Sequence, residues 1–326
     1  MKTLVRCAVF ALCALLSSAG AFAQPAAPGP TPTVWVTMGT AAGPAPHVER
    51  AQPANALIVN GTPYLIDAGN GVARQLAAAK IDFRTIRAVF ITHHHNDHNA
   101  DLGSIVTLIW QYTGRTMPVF GPPGTVEVAA AGAAYFKRSN EIRMSEAPPH
   151  ATAPIFDAHD AGCDGPVYQD ANVTVTCVEN THFRNLLPGS AAYGRDKSYS
   201  YRFQTADRTI VFTGDTGVSD RVTALAHGAD LLVSEVADPN GVQRIVGRFT
   251  NLTTDELRAA MVKHLLEEHL TPEQVGQMAL AAGVKAVVLT HLTPGDDGET
   301  DDSVYSAGVK AVFRGPVTVA RDLMRF

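Results

Sequence analysis

Residues 92–98 read Thr-His-His-His-Asn-Asp-His and bring four potential metal ligands together. These ligands are His93, His95, Asp97 and His98. Imidazole and carboxylate groups are the ligands that zinc and similar divalent ions take in proteins. In an extended segment His93 and His95 point to the same side, since side chains repeat every two residues. The segment predicts a metal site, with a surface histidine tract of incidental metal affinity as the alternative.

Three later residues favour the metal site over the surface tract. His182, Asp215 and His291 each follow a stretch of sequence that is typical of a β-strand. Open sheets collect ligand-binding groups at the ends of their strands, so these side chains can converge on residues 92–98.

The elements that must position these residues alternate between strands and helices. Predicted strands occupy residues 34–38, 56–60, 64–66, 88–92, 173–178, 198–204, 209–213, 231–236 and 286–290, the last of them closing the core. Predicted helices occupy residues 71–80, 101–112, 126–143, 253–268 and 271–282. Residues 147–165 are the least regular stretch, either a loop over a site or plain surface. This order predicts two successive halves, each with a sheet faced by helices, within one domain.

The composition is that of a globular protein. Of the 326 residues, 46% are hydrophobic and 17% are charged. This much apolar surface offsets the entropy of ordering the backbone, which excludes a collagen-like, low-complexity or disordered chain. The sequence also lacks a phosphate-binding loop, a Gly-x-Ser-x-Gly nucleophile and a paired Cys-x-x-Cys motif, so no other chemistry competes with the metal site.

The ordered motifs resemble those of metallo-β-lactamase-fold hydrolases, and within them the ribonuclease Z and arylsulfatase-like branch. The matching segments cover nearly all of the chain after residue 33 and comprise Gly39-Thr40, Leu65-Ile66-Asp67-Ala68-Gly69, residues 92–98, Thr181-His182, Phe212-Thr213-Gly214-Asp215-Thr216, Ala229-Asp230-Leu231-Leu232 and Leu289-Thr290-His291. The resemblance implies an α/β fold, an αββα sandwich of two mixed sheets flanked by helices, with a dinuclear metal centre between the sheet edges.

The resemblance divides seven ligands between two divalent ions. The first ion would be held by the imidazoles of His93, His95 and His182. The second ion would be held by Asp97, His98 and His291, with Asp215 bridging both ions. Ligation by His and Asp without thiolate suits Zn²⁺, and Mn²⁺ or Fe²⁺ would also be accommodated.

Two further residues of the motifs have supporting roles. Asp67 resembles the buried acid with which the family supports its ligand loop. His94 matches no family ligand and is interpreted as a supporting or packing residue.

Glu235 and His269 resemble the pair with which ribonuclease Z-like enzymes protonate the leaving group. A carboxylate beside an imidazole orients the ring and raises its proton affinity, which suits a general acid near neutral pH. The alternatives are an ordinary carboxylate at a strand end for Glu235 and a helix cap for His269. With the ligand Asp97, these two residues are the catalytic candidates.

Two divalent ions lower the pKa of a shared water to near 7, so a bridging hydroxide is expected to act as the nucleophile. The net positive charge of such a centre favours anionic esters, namely phosphodiesters or aryl sulfates. A lactonase or β-lactamase would use the same hydroxide on a carbonyl group. A metal- or ligand-binding module without turnover is the alternative from a different class.

A leader segment is predicted at residues 1–23. A charged start, an apolar stretch at residues 7–16 and the triplet Ala21-Phe22-Ala23 are typical of a Sec signal peptide cleaved after the triplet. A Pro/Ala-rich linker at residues 24–32 and a single hydrolase domain at residues 33–326 would follow. We therefore expect a periplasmic or secreted protein.

The charge balance limits the partners. Residues 1–23 carry two cations and no anions, so their removal changes the formal net charge from −5 to −7. A negative surface argues against a general nucleic-acid binder and against a polybasic membrane anchor. The chain also lacks the long arm that ribonuclease Z uses to grip transfer RNA, and residues 291–297 lack the Arg of that branch. The predicted partner is a small anionic ester, not transfer RNA or a membrane.

Cys163 and Cys177 are the two cysteines outside the predicted leader. In an oxidising compartment they can close a short disulfide loop. Two unpaired thiols in a packed interior are the equal alternative, because spacing alone does not bring two Cβ atoms together.

Overall fold

A computed structural model describes residues 31–146 and 153–326. The predicted signal peptide and most of the predicted linker, residues 24–30, lie outside the described residues. Residues 31–326 gather into one unit. None of the described helices combines the length and the apolar character needed to cross a bilayer.

The described residues form fourteen strands and nine α-helices. The strands are β1 Val34–Gly39, β2 Ala54–Val59, β3 Thr62–Ile66, β4 Val89–Phe90, β5 Met117–Gly121, β6 Phe156–Asp160, β7 Pro166–Gln169, β8 Thr174–Glu179, β9 Tyr199–Gln204, β10 Thr209–Phe212, β11 Leu231–Ala237, β12 Val287–Thr293, β13 Val317–Val319 and β14 Met324–Arg325. The helices are α1 Val72–Ala78, α2 Asn96–Asn99, α3 Leu102–Thr113, α4 Thr125–Glu146, α5 Asp220–Leu225, α6 Pro239–Gly247, α7 Asp255–Glu268, α8 Pro272–Ala282 and α9 Ser303–Val312.

The strands form two mixed sheets of seven strands each. The first has the order β14-β1-β2-β3-β4-β5-β6 and the second has the order β13-β12-β11-β10-β9-β8-β7. Strands β3 to β6 run parallel in the first sheet, and β10 to β13 run parallel in the second. Parallel strands end at the same edge of a sheet, so the segments that follow β3, β4, β10, β11 and β12 can meet there.

Alternating residues along the inner strands build three apolar layers. Trp35 and Phe90 pack between the two sheets. Their neighbours Val36 and Val89 point the other way, into the layer between the first sheet and its helices. In the second sheet Val211 points likewise into the helical layer of that half. This alternation, which follows from the period of two of a β-strand, produces an αββα sandwich and confirms the predicted fold class.

The structure differs from the sequence prediction at several places. The strand expected at 88–92 extends only over Val89–Phe90 as β4, because the backbone N–H of Thr92 donates to the Asp67 side chain and not to a neighbouring strand. The irregular stretch 147–165 contains strand β6, while residues 147–152 lie outside the described residues. Strand β12 does not close the fold: α9, β13 and β14 follow it, and β14 returns to pair with β1. Short edge strands of two or three residues carry too little periodicity to be predicted.

A disulfide joins Cys163 to Cys177, with the two Cα atoms 5.1 Å apart. Cys163 follows β6 of the first sheet, whereas Cys177 lies in β8 of the second and is 4% exposed. The disulfide therefore links the two sheets covalently.

Replacing both cysteines, as Cys163→Ala with Cys177→Ala, should lower the free energy of unfolding. The expected loss is about 3 kcal/mol, the value for a loop of roughly fifteen residues, because the reduced unfolded chain gains entropy. Urea unfolding followed by circular dichroism measures it. Dithiothreitol should bring the wild-type midpoint close to that of the variant and leave the variant unchanged. A wild-type unfolding midpoint that is the same with and without dithiothreitol would contradict the disulfide.

Candidate metal centre

All seven predicted metal ligands converge at the shared edge of the two sheets. Six of them are buried, and His95 is the exposed one. Their ligand atoms fall into overlapping groups in which the atoms lie within 4.8 Å of one another, among them His93 with His95 and His182, His93 with His98 and Asp215, and Asp97 with His98 and His291. The chain thus brings together side chains that are separated by up to two hundred residues.

The first group has the spacing of a metal coordination shell. The Nδ1 atom of His95 lies 3.1 Å from Nε2 of His93 and 3.2 Å from Nε2 of His182. A tetrahedral site with metal–nitrogen bonds of 2.0–2.1 Å separates its ligand nitrogens by about 3.3–3.4 Å. The three nitrogens are therefore close to the separations that one bound ion requires.

The second group shares its carboxylate with the first. Oδ2 of Asp215 lies 3.1 Å from Nε2 of His291 and 3.4 Å from Nε2 of His98. The same oxygen lies 3.9 Å from Nε2 of His93 and of His182. Asp215 thus stands between the two groups of side chains.

Several atoms of the predicted ligands make no hydrogen bond within the protein. Among the described residues, Nε2 of His98, Oδ1 of Asp215 and Nε2 of His291 are buried polar atoms that lack a hydrogen bond. A buried polar atom without a hydrogen bond costs free energy, so a ligand that binds these atoms would be stabilising. The donor set of imidazole and carboxylate fits divalent ions such as zinc.

The electrostatics of the cluster also favour cations. Burial works against a charged imidazole at His291, yet the carboxylates of Asp215 and Asp97 raise its pKa to about 10. Burial likewise opposes protonation of His98, and Asp215, Asp97 and Asp67 together raise its pKa well above the usual value. The carboxylates therefore attract positive charge, which bound metal ions would supply.

Asp67 holds the ligand loop in place, as the resemblance implies. Its carboxylate accepts hydrogen bonds from the backbone N–H of Thr92 at 2.8 Å and from the Thr92 hydroxyl. It also pairs with Nδ1 of His98 at 2.8 Å. This contact orients the His98 ring so that Nε2 faces the cluster, the usual arrangement around a metal-binding histidine.

His182 is oriented by a carbonyl group. Its Nδ1 pairs with the backbone oxygen of Glu268 at 3.2 Å, which leaves Nε2 free for the cluster. The backbone N–H of His182 also donates to the side chain of Asn180 at 3.1 Å.

Local backbone irregularities aim two ligands inward. The pairing of β11 with β12 shifts between Thr290 and Leu292, so His291 is the extra residue of a bulge, with φ of 44°. A bulge redirects a side chain that a regular strand would place elsewhere. Before Asp215, Gly214 has φ of 55°, and a Cβ there would lie 3.0 Å from Thr92. Glycine is needed at this close approach.

His94 points away from the cluster. Its Nε2 lies 3.2 Å from the hydroxyl of Thr125, and burial lowers its pKa. It packs the ligand loop against helix α4, consistent with its interpretation as a non-ligand.

Glu235 and His269 form the contact that the resemblance implies. Oε2 of Glu235 lies 2.6 Å from Nδ1 of His269. Burial disfavours a charged ring, but the Glu235 carboxylate raises the pKa of His269 above its usual value. The His269 ring centre lies 5.0 Å from that of His182 and 5.8 Å from that of His291. The pair therefore borders the metal ligands.

A cleft of about 480 Å³ opens over the cluster, within the usual size range of small-molecule sites. Its floor contains ligands from both groups together with His269. Its walls come from residues 42–47, from helices α6 and α7 and from the segment after β12.

Helix α6, which forms part of the cleft wall, is not among the helices predicted from the sequence. The signal was present: Asp238 precedes Pro239, and its carboxylate caps the first turn by accepting from the N–H groups of Asn240 and Gly241. Asp followed by Pro at the first helical position is typical of a helix start.

Comparisons with known proteins agree with this geometry. The family model for the beta-lactamase superfamily domain matches residues 62–292. A ribonuclease Z from Mycobacterium sp. (strain KMS) is 30% identical over 297 residues, which cover 89% of this chain and 94% of that protein. This chain therefore belongs to the metallo-β-lactamase superfamily and is a distant relative of ribonuclease Z. It is a hydrolase of that fold with a buried site of His and Asp ligands.

Solved structures share the fold. The metallo-β-lactamase fold protein YhfI from Bacillus subtilis has a TM-score of 0.62 at 20% identity and covers 91% of this chain and 99% of its own. Zn²⁺-bound PqqB from Methylobacterium extorquens has a TM-score of 0.62 at 18% identity and covers 90% of this chain and 99% of its own.

The substitution Asp67→Asn should weaken metal binding without unfolding the chain. Asp67 has φ of 59°, a conformation that Asn also tolerates, so mainly the carboxylate charge is lost. We expect affinity for Zn²⁺ to fall about 10- to 100-fold, the usual effect of removing a partner behind a ligand. Competition with a chromogenic chelator measures the affinity. The exposed Asp82→Asn is the matched control, and equal affinities in both variants would contradict the role of Asp67.

Proposed function

We propose that this chain is a dinuclear metal-dependent hydrolase of anionic esters, phosphodiesters or aryl sulfates. The observation that carries the proposal is the contact of buried Glu235 with His269, whose imidazole lines the same cleft as five of the seven predicted ligands. A site that only bound metal would not need a buried acid and imidazole pair beside its ligands. The proposed ligands are His93, His95 and His182 for one ion, Asp97, His98 and His291 for the other, and Asp215 for both.

Two divalent ions, when bound, supply Lewis acidity and lower the pKa of water to near 7. Four positive charges would then face the two carboxylates of Asp97 and Asp215. The excess of positive charge at the floor of the cleft favours an anionic ester over a neutral one.

His269 is proposed to protonate the leaving group. The oxygen of a water molecule would add to phosphorus or sulfur, the bond from that atom to the alcohol oxygen would break, and the alcohol oxygen would take a proton from His269. The proton that the water gives up would be released to solvent, from which His269 is protonated again. Glu235 orients the ring through Nδ1 and stabilises its protonated form. The proposal places the proton on the imidazole beside the departing oxygen, where a poor leaving group needs it most.

The substitutions Glu235→Gln and His269→Ala should slow the hydrolysis of esters with poor leaving groups about 10²- to 10⁴-fold. Esters of p-nitrophenol should lose much less, because their leaving group departs as a stable anion. Steady-state kcat on methyl phenyl phosphate and on methyl p-nitrophenyl phosphate measures the contrast. Sulfate esters of phenol and p-nitrophenol form a parallel pair.

The control for these variants is His227→Ala, an exposed histidine outside the cleft. Metal content should be the same in all variants. Equal losses on both classes of ester would refute a proton-donor role and leave only a structural one. Turnover of nitrocefin or a homoserine lactone in place of every anionic ester would favour the lactonase or β-lactamase alternative.

Export forms part of this proposal and is supported by the character of residues 1–23 alone. An exported enzyme meets small esters more often than transfer RNA, so we propose a small ester as the substrate. We expect cell fractionation followed by mass spectrometry to find the chain outside the cytoplasm with Gln24 at its amino terminus. Full-length chain in the cytoplasm would contradict export and restore RNA as a candidate.

A further inference from the structure

One wall of the cleft is apolar although its floor is built of ionisable side chains. Ile245 lies in the last turn of α6, Phe249 follows the end of that helix, and Leu265 lies on α7. All three side chains are at least partly exposed, and Phe249 is 36% exposed to solvent. Apolar side chains that remain open to a cleft beside a polar centre are typical of a ligand-binding wall.

The apolar wall lies beside the place that the alcohol half of a substrate would occupy under the proposed function. Leu265 lies one helical turn before His269, whose backbone N–H donates to the Leu265 carbonyl at 3.0 Å. Leu265 and His269 also line the same cleft. The apolar wall is therefore on the same side of the site as the imidazole proposed to protonate the departing alcohol.

The charged residues of this wall are already paired. Both terminal nitrogens of Arg248 contact the carboxylate of Asp296, at 2.9 and 3.2 Å. His264 lies 3.1 Å from the carboxylate of Glu268. Among the described residues that line the cleft, Arg248 is the only arginine or lysine. A nucleic-acid backbone requires a row of free cations, which this wall does not offer.

We infer that the substrate is an anionic ester of a large apolar alcohol, whose aryl or alkyl group packs against Ile245, Phe249 and Leu265. The inference rests on the proposed function, because it takes the charged ester group to lie over the metal ligands. A cleft of about 480 Å³ holds a group of this size. The apolar wall then selects among anionic esters, while the metal centre selects for the anion.

Equilibrium binding tests the inference without turnover. Calorimetry on the zinc-loaded protein compares phenylphosphonate with 4-butylphenylphosphonate, which differ only in a butyl chain. We expect the butyl compound to bind at least about tenfold more tightly, since each buried methylene favours binding. Phe249→Ser and Leu265→Ser should each reduce this ratio severalfold. Because Phe249 is partly exposed, its replacement should not prevent folding.

The matched control is Leu257→Ser, a leucine of the same helix that is 48% exposed and lies outside the cleft. Its ratio of affinities should equal that of the wild type. Equal affinities of the wild type for the two phosphonates would overturn the inference. A ratio that survives both wall substitutions would also overturn it, and so would tighter binding of a short RNA oligonucleotide than of 4-butylphenylphosphonate.

Hydrolysis of methyl phenyl phosphate and methyl 4-butylphenyl phosphate separates the inference from the proposed function. The two phenols have similar acidity, so a larger kcat/KM for the butyl ester reports the wall and supports the inference. Turnover of both esters at equal kcat/KM would overturn the inference and leave the hydrolase intact. A binding preference without turnover of either ester would support the apolar subsite and contradict the proposed function.

Discussion

The crowding of ionisable side chains at the predicted metal site is the constraint on which the rest of this structure depends. Five imidazoles and two carboxylates lie with their ligand atoms within a few ångströms of one another. Some of these atoms are buried without any hydrogen-bond partner. Such an arrangement costs free energy unless positive charge satisfies the carboxylates and the free nitrogens. The fold must therefore be stiff enough to hold the ligands together before any ion is bound.

The sandwich supplies that stiffness at the edge where its parallel strands end. Asp67 follows β3, and its carboxylate fixes both the backbone after β4 and the ring of His98. On the other sheet, a bulge at the end of β12 turns His291 inward. Most ligands lie in short segments that directly follow buried strands, and contacts such as those of Asp67 anchor these segments to the sheets. The same rigid edge carries Glu235, so ligand geometry and the orientation of His269 are linked.

The ligand types could be read from the sequence because strong signals coincide there. Residues 92–98 carry an unusual density of imidazole and carboxylate, and the later ligands follow long apolar strands that periodicity reveals. The bulge at His291 could not be predicted, since it depends on how β12 pairs with β11. The strand after residue 88 was predicted too long, because local propensity does not register the hydrogen bond from Thr92 to Asp67. Pairing between distant segments decides such details.

The apolar wall of the cleft could not be predicted from the sequence. Residues 239–268 lie between Glu235 and His269 and form α6 and α7, which cover part of the metal centre. Ile245 and Leu265 are ordinary amphipathic positions in the sequence, and only the fold shows that they line a cleft. Leu265 also packs against the apolar cluster that contains Val242 and Val246. The two residues proposed for proton transfer are thus joined by a segment whose own side chains line the cleft. Under the proposed function, changes in that segment would alter which alcohol is accepted while Glu235, His269 and the ligands stay in place, because substrate selection and chemistry would reside on different residues.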